Sequence, residues 1–247
     1  PGNRVELYDI DTGPMRTRAR AIEQSLGSAL LQNELSVLYQ PQVCLETGEL
    51  RGVEALIRWT HPELGKIGPD EFITISESNG YIQELGRWVL RQSMIDGIRL
   101  PDHVSMAVNV SPIQMQNGDI VKDVSGILAQ TNFPAERLWL ELTESTMLTP
   151  DESIINAMSE IEDLGVAWAL DDFGTGFSSL NYMSMLPISK LKVDRAFVES
   201  LESDAAGLAI IRSVHVMCEG LGIGINTLEV RVLAVDAGGV ESLTACE

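Results

Sequence analysis

Apolar residues follow two different spacings along this chain. Apolar positions three and four residues apart predict helices at 70–78, 85–98, 119–130, 151–164 and 208–221. Short, nearly continuous apolar runs predict strands at 35–45, 50–59, 104–111, 138–145, 166–172, 191–194 and 223–225. From residue 104 onwards the strands and helices alternate, which is typical of a parallel sheet covered by helices.

The first two predicted strands differ from the later ones because only a turn, Glu46-Thr47-Gly48-Glu49, separates them. They are therefore predicted to form a hairpin-like pair. The later strands recur at intervals of about 20 to 35 residues, each followed by a helix, which is the sequence form of a parallel α/β barrel. A doubly wound open sheet is the alternative, but no Gly-x-Gly-x-x-Gly motif follows the first strand.

Chain length and apolar content favour one domain. The 247 residues, 45% of them apolar, can bury a single core of α/β-barrel size. Residues 1–20 carry several arginines and are predicted to be a linker from an upstream domain. Residues 21–247 then form the domain, beginning with a helix whose apolar face includes Ile22, Leu26 and Ala29.

The net charge limits the kinds of ligand that the chain is expected to bind. A formal charge of −19 argues against binding a nucleic-acid polymer, because phosphate backbones are held by clustered Lys and Arg. A smaller phosphate-ester substrate would need a metal ion to offset the acids. Cys44, Cys218 and Cys246 form no Cys-x-x-Cys pair, which suits reduced thiols in a cytoplasmic domain.

Two adjacent acids, Asp171 and Asp172, end the most apolar of the predicted strands. Carboxylates about 4 Å apart repel by roughly 4 kcal/mol at an effective dielectric constant near 20. A divalent cation between them would remove this cost, and magnesium prefers oxygen ligands of this kind. The alternative is that Asp172 only caps the following helix.

Other predicted strands also end in residues that can bind a hard cation, namely Glu54, Asn109 and Glu141, and Lys192 lies on the strand after Asp172. The carboxyl ends of barrel strands share one face, where barrel enzymes place their active sites. Each residue also has a simpler interpretation, such as pairing of Glu54 with Arg58 or solvation of Lys192. Their recurrence at successive strand ends favours a metal site.

These residues lie in motifs that resemble the EAL domain family, the bacterial cyclic di-GMP phosphodiesterases. Glu54-Ala55-Leu56 resembles the signature that names the family. Further motifs match in order and spacing: Tyr39-Gln40-Pro41, Asn109-Val110-Ser111-Pro112, Glu141-Leu142-Thr143-Glu144, Asp171-Asp172-Phe173-Gly174-Thr175-Gly176 and Lys192-Val193-Asp194-Arg195.

The resemblance implies a modified (β/α)8 TIM-like barrel whose first strand is antiparallel, and hydrolysis of cyclic di-GMP to linear pGpG. It implies two Mg²⁺ or Mn²⁺ ions, held by Glu54, Asn109, Glu141, Asp171 and Asp172. Among these ligands, Glu54 and Asp172 are also expected to be catalytic. Lys192 is expected to contact the attacking water.

The resemblance also implies substrate contacts and partners. Arg58 is expected to hold a phosphate, with Gln40 and Leu56 in the nucleotide groove, and Glu144 is expected to anchor the loop after Asp172. The family further implies a homodimer, and the arginine-rich start resembles a linker from a diguanylate cyclase-like domain.

The sequence departs from the family after Ile225. The family's seventh strand ends in Ala-Glu-Gly-Val-Glu, whose first Glu is functional, but here Asn226 follows directly and is predicted to begin a helix. We therefore expect segments to be missing between Ile225 and Asn226 and between Leu243 and Thr244. If they are not, the alternative is a catalytically degenerate domain that binds cyclic di-GMP.

Overall fold

The computed structural model describes residues 13–44, 47–116, 119–143, 152–173, 185–193, 205–221, 223–226, 235–236 and 239–240. The chain divides into a smaller unit, residues 1–36 with 57–82, and a larger unit, residues 37–56 with 83–247. Within the described ranges, no helix combines the length and the apolar composition needed to cross a membrane.

The helices and strands follow one another along the chain much as the apolar pattern predicts. The helices are α1 (Gly13–Ala29), α2 (Pro69–Asn79), α3 (Ile82–Gly97), α4 (Pro112–Gln116), α5 (Ile120–Thr131), α6 (Glu152–Asp163) and α7 (Ala205–Leu221). The strands are β1 (Leu35–Val43), β2 (Leu50–His61), β3 (Gly65–Ile67), β4 (Ser105–Asn109), β5 (Leu138–Thr143), β6 (Ala167–Phe173), β7 (Ile188–Val193), β8 (Gly224–Asn226), β9 (Val235–Asp236) and β10 (Gly239–Val240).

The larger unit is built on a mostly parallel sheet. Its neighbouring strands run in the order β10-β9-β1-β2-β4-β5-β6-β7-β8. Every pair from β2–β4 through to β7–β8 is parallel, whereas β9 is antiparallel to both β1 and β10. The predicted α/β class is confirmed, and closure of the sheet into a ring lies outside the described residues.

The first strand is antiparallel to its neighbour, as predicted. Only residues 44–49 join β1 to β2, and a parallel pair would need a crossover of roughly a dozen residues or more. The turn is closed by the Cys44 N–H, which donates to the Glu49 carbonyl at 2.9 Å. Gly48 has a φ of 69°, a left-handed conformation that glycine adopts without a side-chain clash.

The central strands are buried on both faces, which explains their nearly continuous apolar sequence. On β4, Met106, Ala107 and Val108 are all buried although successive side chains point to opposite faces. On β6 the indole N–H of the fully buried Trp168 donates to the Met158 carbonyl of α6 at 3.0 Å. This bond satisfies the polar atom of a side chain whose burial otherwise stabilises the core.

The smaller unit contains α1, α2 and the antiparallel β2–β3 ladder. The Trp59 indole N–H donates to Glu34 at 2.8 Å, and its ring packs edge-on against Phe72. His61 Nδ1 accepts two backbone N–H bonds at 3.1 Å, while its Nε2 lies 3.0 Å from the Ser25 hydroxyl. These contacts give His61 a structural role.

Three features differ from the sequence-based expectations. The prediction that Asn226 begins a helix is wrong at that residue: Asn226 is the last residue of β8 and pairs with Lys192 of β7, so sheet pairing prevails there over the local pattern. Residues 227–234, where that helix would continue, lie outside the described residues. The short elements β3 and α4 were not predicted. Helix α1 begins at Gly13, so the predicted linker boundary at residue 20 falls inside a helix.

Candidate active site

Strand register brings the predicted site residues of β2, β4 and β5 together in the larger unit. Glu54 pairs with Ala107, and Asn109 pairs with Glu141. Because side chains two residues apart share a face of the sheet, Asn109 lies on the same face as Ala107. Glu54, Asn109 and Glu141 therefore project from one face of three adjacent strands.

The site continues onto β6 and β7. Glu141 pairs with Ala169 and Thr143 pairs with Asp171, so Asp171 lies on the face of Glu141. Ala169 pairs with Lys190, and Lys192 follows Lys190 by two residues, although the β6–β7 register is irregular on either side of Ala169 and Leu170. The sequence predicted these residues at strand ends; Glu54 instead lies within β2, and the pairing of the strands explains why they meet.

Lys192 connects three acids from three other strands. Its ammonium Nζ lies 3.1 Å from Glu54 Oε2, 2.9 Å from Glu141 Oε2 and 2.9 Å from Asp171 Oδ2. Glu54, Glu141 and Lys192 are all buried. We call these four side chains together with Asn109 the acid cluster.

The remaining oxygens of the cluster are also held in place. The carboxamide of Asn109 donates through Nδ2 to Glu54 Oε1 at 2.8 Å, so both oxygens of Glu54 have a partner. The backbone N–H of Asp172 donates to Asp171 Oδ1 at 2.8 Å, which leaves Oδ2 directed at Lys192. The orientation of both carboxylates is therefore fixed from two sides.

Asp172 occupies an unusual backbone conformation. Its φ is 54°, in the left-handed region that non-glycine residues seldom adopt and that Asp and Asn tolerate best. The group of acids whose oxygens lie within 4.8 Å of one another contains Glu54, Glu141 and Asp171, but not Asp172. The structure thus separates the two adjacent acids of the sequence.

The cluster has more negative charge than its lysine can balance. Burial raises the pKa of Glu141 to about 8, the ammonium of Lys192 lowers it, and the carboxylates of Glu54 and Asp171 raise it again. Three carboxyl groups share one ammonium. Retaining a proton on Glu141 is one way to relieve this excess, and binding a cation is another.

The chemistry of these side chains fits a hard divalent cation. Carboxylate and carboxamide oxygens are the ligands that magnesium and manganese prefer, and the cluster contains no cysteine or histidine of the kind that favours zinc. The acid cluster is therefore suited to hold Mg²⁺ or Mn²⁺.

The predicted substrate-binding residues lie on β1 and β2. Gln40 and Leu56 are half-buried in the larger unit. Arg58 belongs to the smaller unit, where its Nη1 donates to the Ile57 carbonyl at 2.9 Å. Glu144, the predicted loop anchor, lies outside the described residues.

One half-buried contact near Gln40 was not predicted. The Tyr39 hydroxyl donates to Asp96 Oδ2 of α3 at 2.7 Å, and Gln92 Nε2 donates to the same oxygen at 2.8 Å. Because side chains alternate along a strand, Gln40 points to the face opposite Tyr39. The contact joins residues 57 positions apart, and no local pattern in the sequence indicates it.

Comparison with known proteins identifies the same family as the motifs. A model of the EAL domain matches residues 23–228, which include the whole acid cluster. Protein y4lL of Sinorhizobium fredii is 45% identical over 228 residues, or 92% of this chain and 27% of that protein. The cyclic di-GMP phosphodiesterase NbdA of Pseudomonas aeruginosa is 35% identical over 223 residues, or 89% of this chain and 28% of that protein.

The similarity extends to a solved structure. The PaMucR phosphodiesterase, in its c-di-GMP complex, has a TM-score of 0.76 and 34% identity, covering 83% of this chain and 85% of that one. The curated relatives are much longer, since this chain corresponds to only 27% and 28% of their lengths.

Proposed function

Because the chain belongs to the EAL domain family, we propose that it hydrolyses cyclic di-GMP to linear pGpG with the help of two Mg²⁺ or Mn²⁺ ions. The observation that carries this proposal is the convergence of acids from β2, β5 and β6 on one buried lysine of β7. The similarity to NbdA and to the PaMucR complex supports cyclic di-GMP as the substrate.

The residues proposed to hold the ions are Glu54, Asn109, Glu141, Asp171 and Asp172. A divalent ion bound there lowers the pKa of a coordinated water, so that hydroxide is available near neutral pH. Glu54 and Asp172 would orient that water in addition to binding the ions. Lys192 would donate a hydrogen bond to it or to the charged phosphate oxygens during attack.

The substrate would be positioned by residues at the start of the barrel. Arg58 offers a planar fork that suits two phosphate oxygens, and Gln40 and Leu56 would line the nucleotide groove. Glu144 would anchor the loop that follows Asp172. These roles rest on the match of the motifs to the family.

The proposed setting is a larger bacterial signalling protein. The great length of the relatives supports an additional domain upstream, for which a diguanylate cyclase-like domain is our proposal. We also propose a homodimer and a cytoplasmic location. Cys218 is a free thiol, which is compatible with that compartment.

A second candidate function is binding of cyclic di-GMP without hydrolysis. The observation that favours it is Asn226, which stands in register with Lys192 where the family's seventh strand is expected to carry an acid. A missing acid would lower catalysis more than binding.

Two measurements on the purified chain separate the candidates. Incubation with cyclic di-GMP and Mg²⁺ or Mn²⁺ should yield pGpG by chromatography, and a chelator should abolish the product. Calorimetry with Ca²⁺ in place of Mg²⁺ should report binding alone. Binding without pGpG would establish the second function, and neither binding nor product would refute both.

A further inference from the structure

Lys192 lies among the three acids that are best arranged to hold a cation. Nζ is within 3.1 Å of one oxygen from each of Glu54, Glu141 and Asp171. These acids also provide ligand oxygens that lie within 4.8 Å of one another. The ammonium therefore occupies hydrogen-bonding positions on the same carboxylates that could bind an ion.

A divalent ion bound by the same three acids would need oxygens that the ammonium now holds. Magnesium requires ligand oxygens at about 2.0–2.1 Å, shorter than the distances over which the ammonium donates hydrogen bonds to them. An ion coordinated by those oxygens would lie beside the Lys192 ammonium and face a like charge at short range. The ammonium and the ion therefore compete for the same three carboxylates.

We propose that Lys192 is a built-in competitor for the divalent ion, and that its ammonium must leave the three carboxylates before an ion can be bound by all of them. This inference rests on the proposed function, because it assumes that the acid cluster is a metal site. Lys192 then acts in two ways: it holds the acids in place when paired with them, and it lowers their apparent affinity for metal.

Competition of this kind has a measurable size. Suppose that Lys192 has left the three acids in only a fraction of the metal-free molecules. The apparent dissociation constant for metal is then the intrinsic constant divided by that fraction. Minor arrangements of proteins are commonly populated at about 0.1–10%. Removing the ammonium should therefore tighten metal binding by about tenfold or more.

The competition also links metal binding to the proposed role of Lys192 in catalysis. While Nζ is bound by three acids, it is not available to a phosphate oxygen or an attacking water. Once displaced, it remains tethered at the end of β7 beside the acids. Lys192 would therefore reach its catalytic position only in molecules that have bound metal.

The test compares Lys192→Met with Lys190→Met. Both remove one positive charge from the same face of β7, but Lys190 Nζ lies over the Trp139 ring, 4.2 Å from its centroid, and not among the three acids. The affinity of each purified variant for Mn²⁺ is measured by electron paramagnetic resonance of the free ion. We expect Lys192→Met to bind Mn²⁺ at least about tenfold more tightly than wild type, and Lys190→Met to remain within about twofold.

Equal or weaker Mn²⁺ binding by folded Lys192→Met would overturn the proposal, and so would an equal gain in Lys190→Met. If Lys192→Met does not fold, wild-type protein labelled with ¹⁵N-lysine provides the second test. The slowly exchanging ammonium signal of the buried Lys192 is assigned by its absence from the spectrum of Lys192→Arg. This signal should disappear on titration with Mg²⁺. A signal that persists at saturating Mg²⁺ would refute displacement.

The two proposals fail in distinguishable ways. Absence of pGpG from a chain that still binds Mn²⁺ more tightly after Lys192→Met would refute the proposed hydrolysis and leave the competition intact. Production of pGpG together with unchanged Mn²⁺ affinity would refute the competition alone.

Discussion

The larger unit buries two cations in opposite kinds of surroundings. Arg137 donates to backbone carbonyls of Val104, Gly97 and Leu100 at 2.9, 3.0 and 3.4 Å. Lys192 donates to three carboxylates at similar distances. Both side chains are buried, but Arg137 donates to neutral carbonyls and has only the exposed Asp102 Oδ1 as a charged partner, 3.8 Å from its Nη1, whereas Lys192 donates to three carboxylates.

The difference shows how a structural cation is distinguished from a functional one. Arg137 satisfies carbonyls at and just beyond the end of α3, and its guanidinium also lies over the Phe133 ring at 5.1 Å. That arrangement needs no further partner. The acids around Lys192 outnumber it, so their arrangement is complete only with a proton or another cation. Excess charge, rather than burial, identifies the site.

The largest expected effect comes from removing one of the excess acids. Asp171→Asn should lower cyclic di-GMP hydrolysis by at least about a hundredfold, because it removes a charged ligand at the reacting centre. Glu54→Ala should have a similar effect. Steady-state pGpG production measures both.

The matched control for the acid is Asp163→Asn, the same change at the exposed end of α6. It should leave hydrolysis unchanged. Near-normal turnover in folded Asp171→Asn would contradict the assignment of the acid cluster as the active site.

Removing the structural cation, Arg137, should instead reduce stability without reducing hydrolysis. Arg137→Met removes the hydrogen bonds from the guanidinium to the carbonyls of Val104, Gly97 and Leu100, so the free energy of unfolding should fall by about 2–3 kcal/mol. Urea denaturation measures this loss, and hydrolysis per folded molecule should be unaffected. Arg99→Met, on an exposed side chain, should change stability by less than about 0.5 kcal/mol. Equal losses in the two variants would show that Arg137 has no special role.

The next expected effect concerns Arg58. One nitrogen of its guanidinium donates a hydrogen bond to the Ile57 carbonyl. Arg58→Lys keeps the charge but loses the planar fork, so affinity for cyclic di-GMP should fall by about tenfold. Calorimetry with Ca²⁺ measures binding without turnover. Arg51→Lys, in an exposed pair with Glu49, is the control and should bind normally. Unchanged affinity in Arg58→Lys would remove Arg58 from the substrate site.

The smallest effect concerns Tyr39, a neutral donor to the half-buried Asp96. Burial, followed by the hydrogen bond to Asp96, raises the pKa of Tyr39 well above its usual range. Tyr39→Phe should cost about 1 kcal/mol at pH 8. Because the folded state retains the tyrosine proton, the wild-type advantage should shrink as pH rises above about 10, where unfolded tyrosine ionises. Urea denaturation of wild type and Tyr39→Phe, at pH 8 and at a pH above about 10, tests this prediction. A wild-type stability advantage that grows with pH would contradict it.

The grouping of the acids could be predicted from the sequence because one physical rule governs the ends of parallel strands. Acids at the ends of parallel strands share an edge, so Glu54, Glu141 and Asp171 could be grouped without coordinates. What could not be predicted is that Lys192 reaches all three acids, since this depends on the register of five strands.

Short elements and long-range pairing account for the errors. Strand β3 has three residues and α4 has five, too few for either to show a period. Asn226 resembles the start of a helix locally, but pairing with β7 keeps it extended. The Tyr39–Asp96 contact likewise depends on the packing of α3, which no local pattern specifies.

The left-handed backbone of Asp172 has a consequence for scanning mutagenesis. At a φ of 54°, alanine adds conformational strain to the loss of the carboxylate, and a β-branched residue adds more. An alanine scan would therefore exaggerate the chemical importance of this position. Asparagine tolerates the same backbone and removes only the charge, whereas glycine removes the side chain and relaxes the backbone. Comparing these two replacements separates the contribution of the side chain from that of the left-handed backbone at this position.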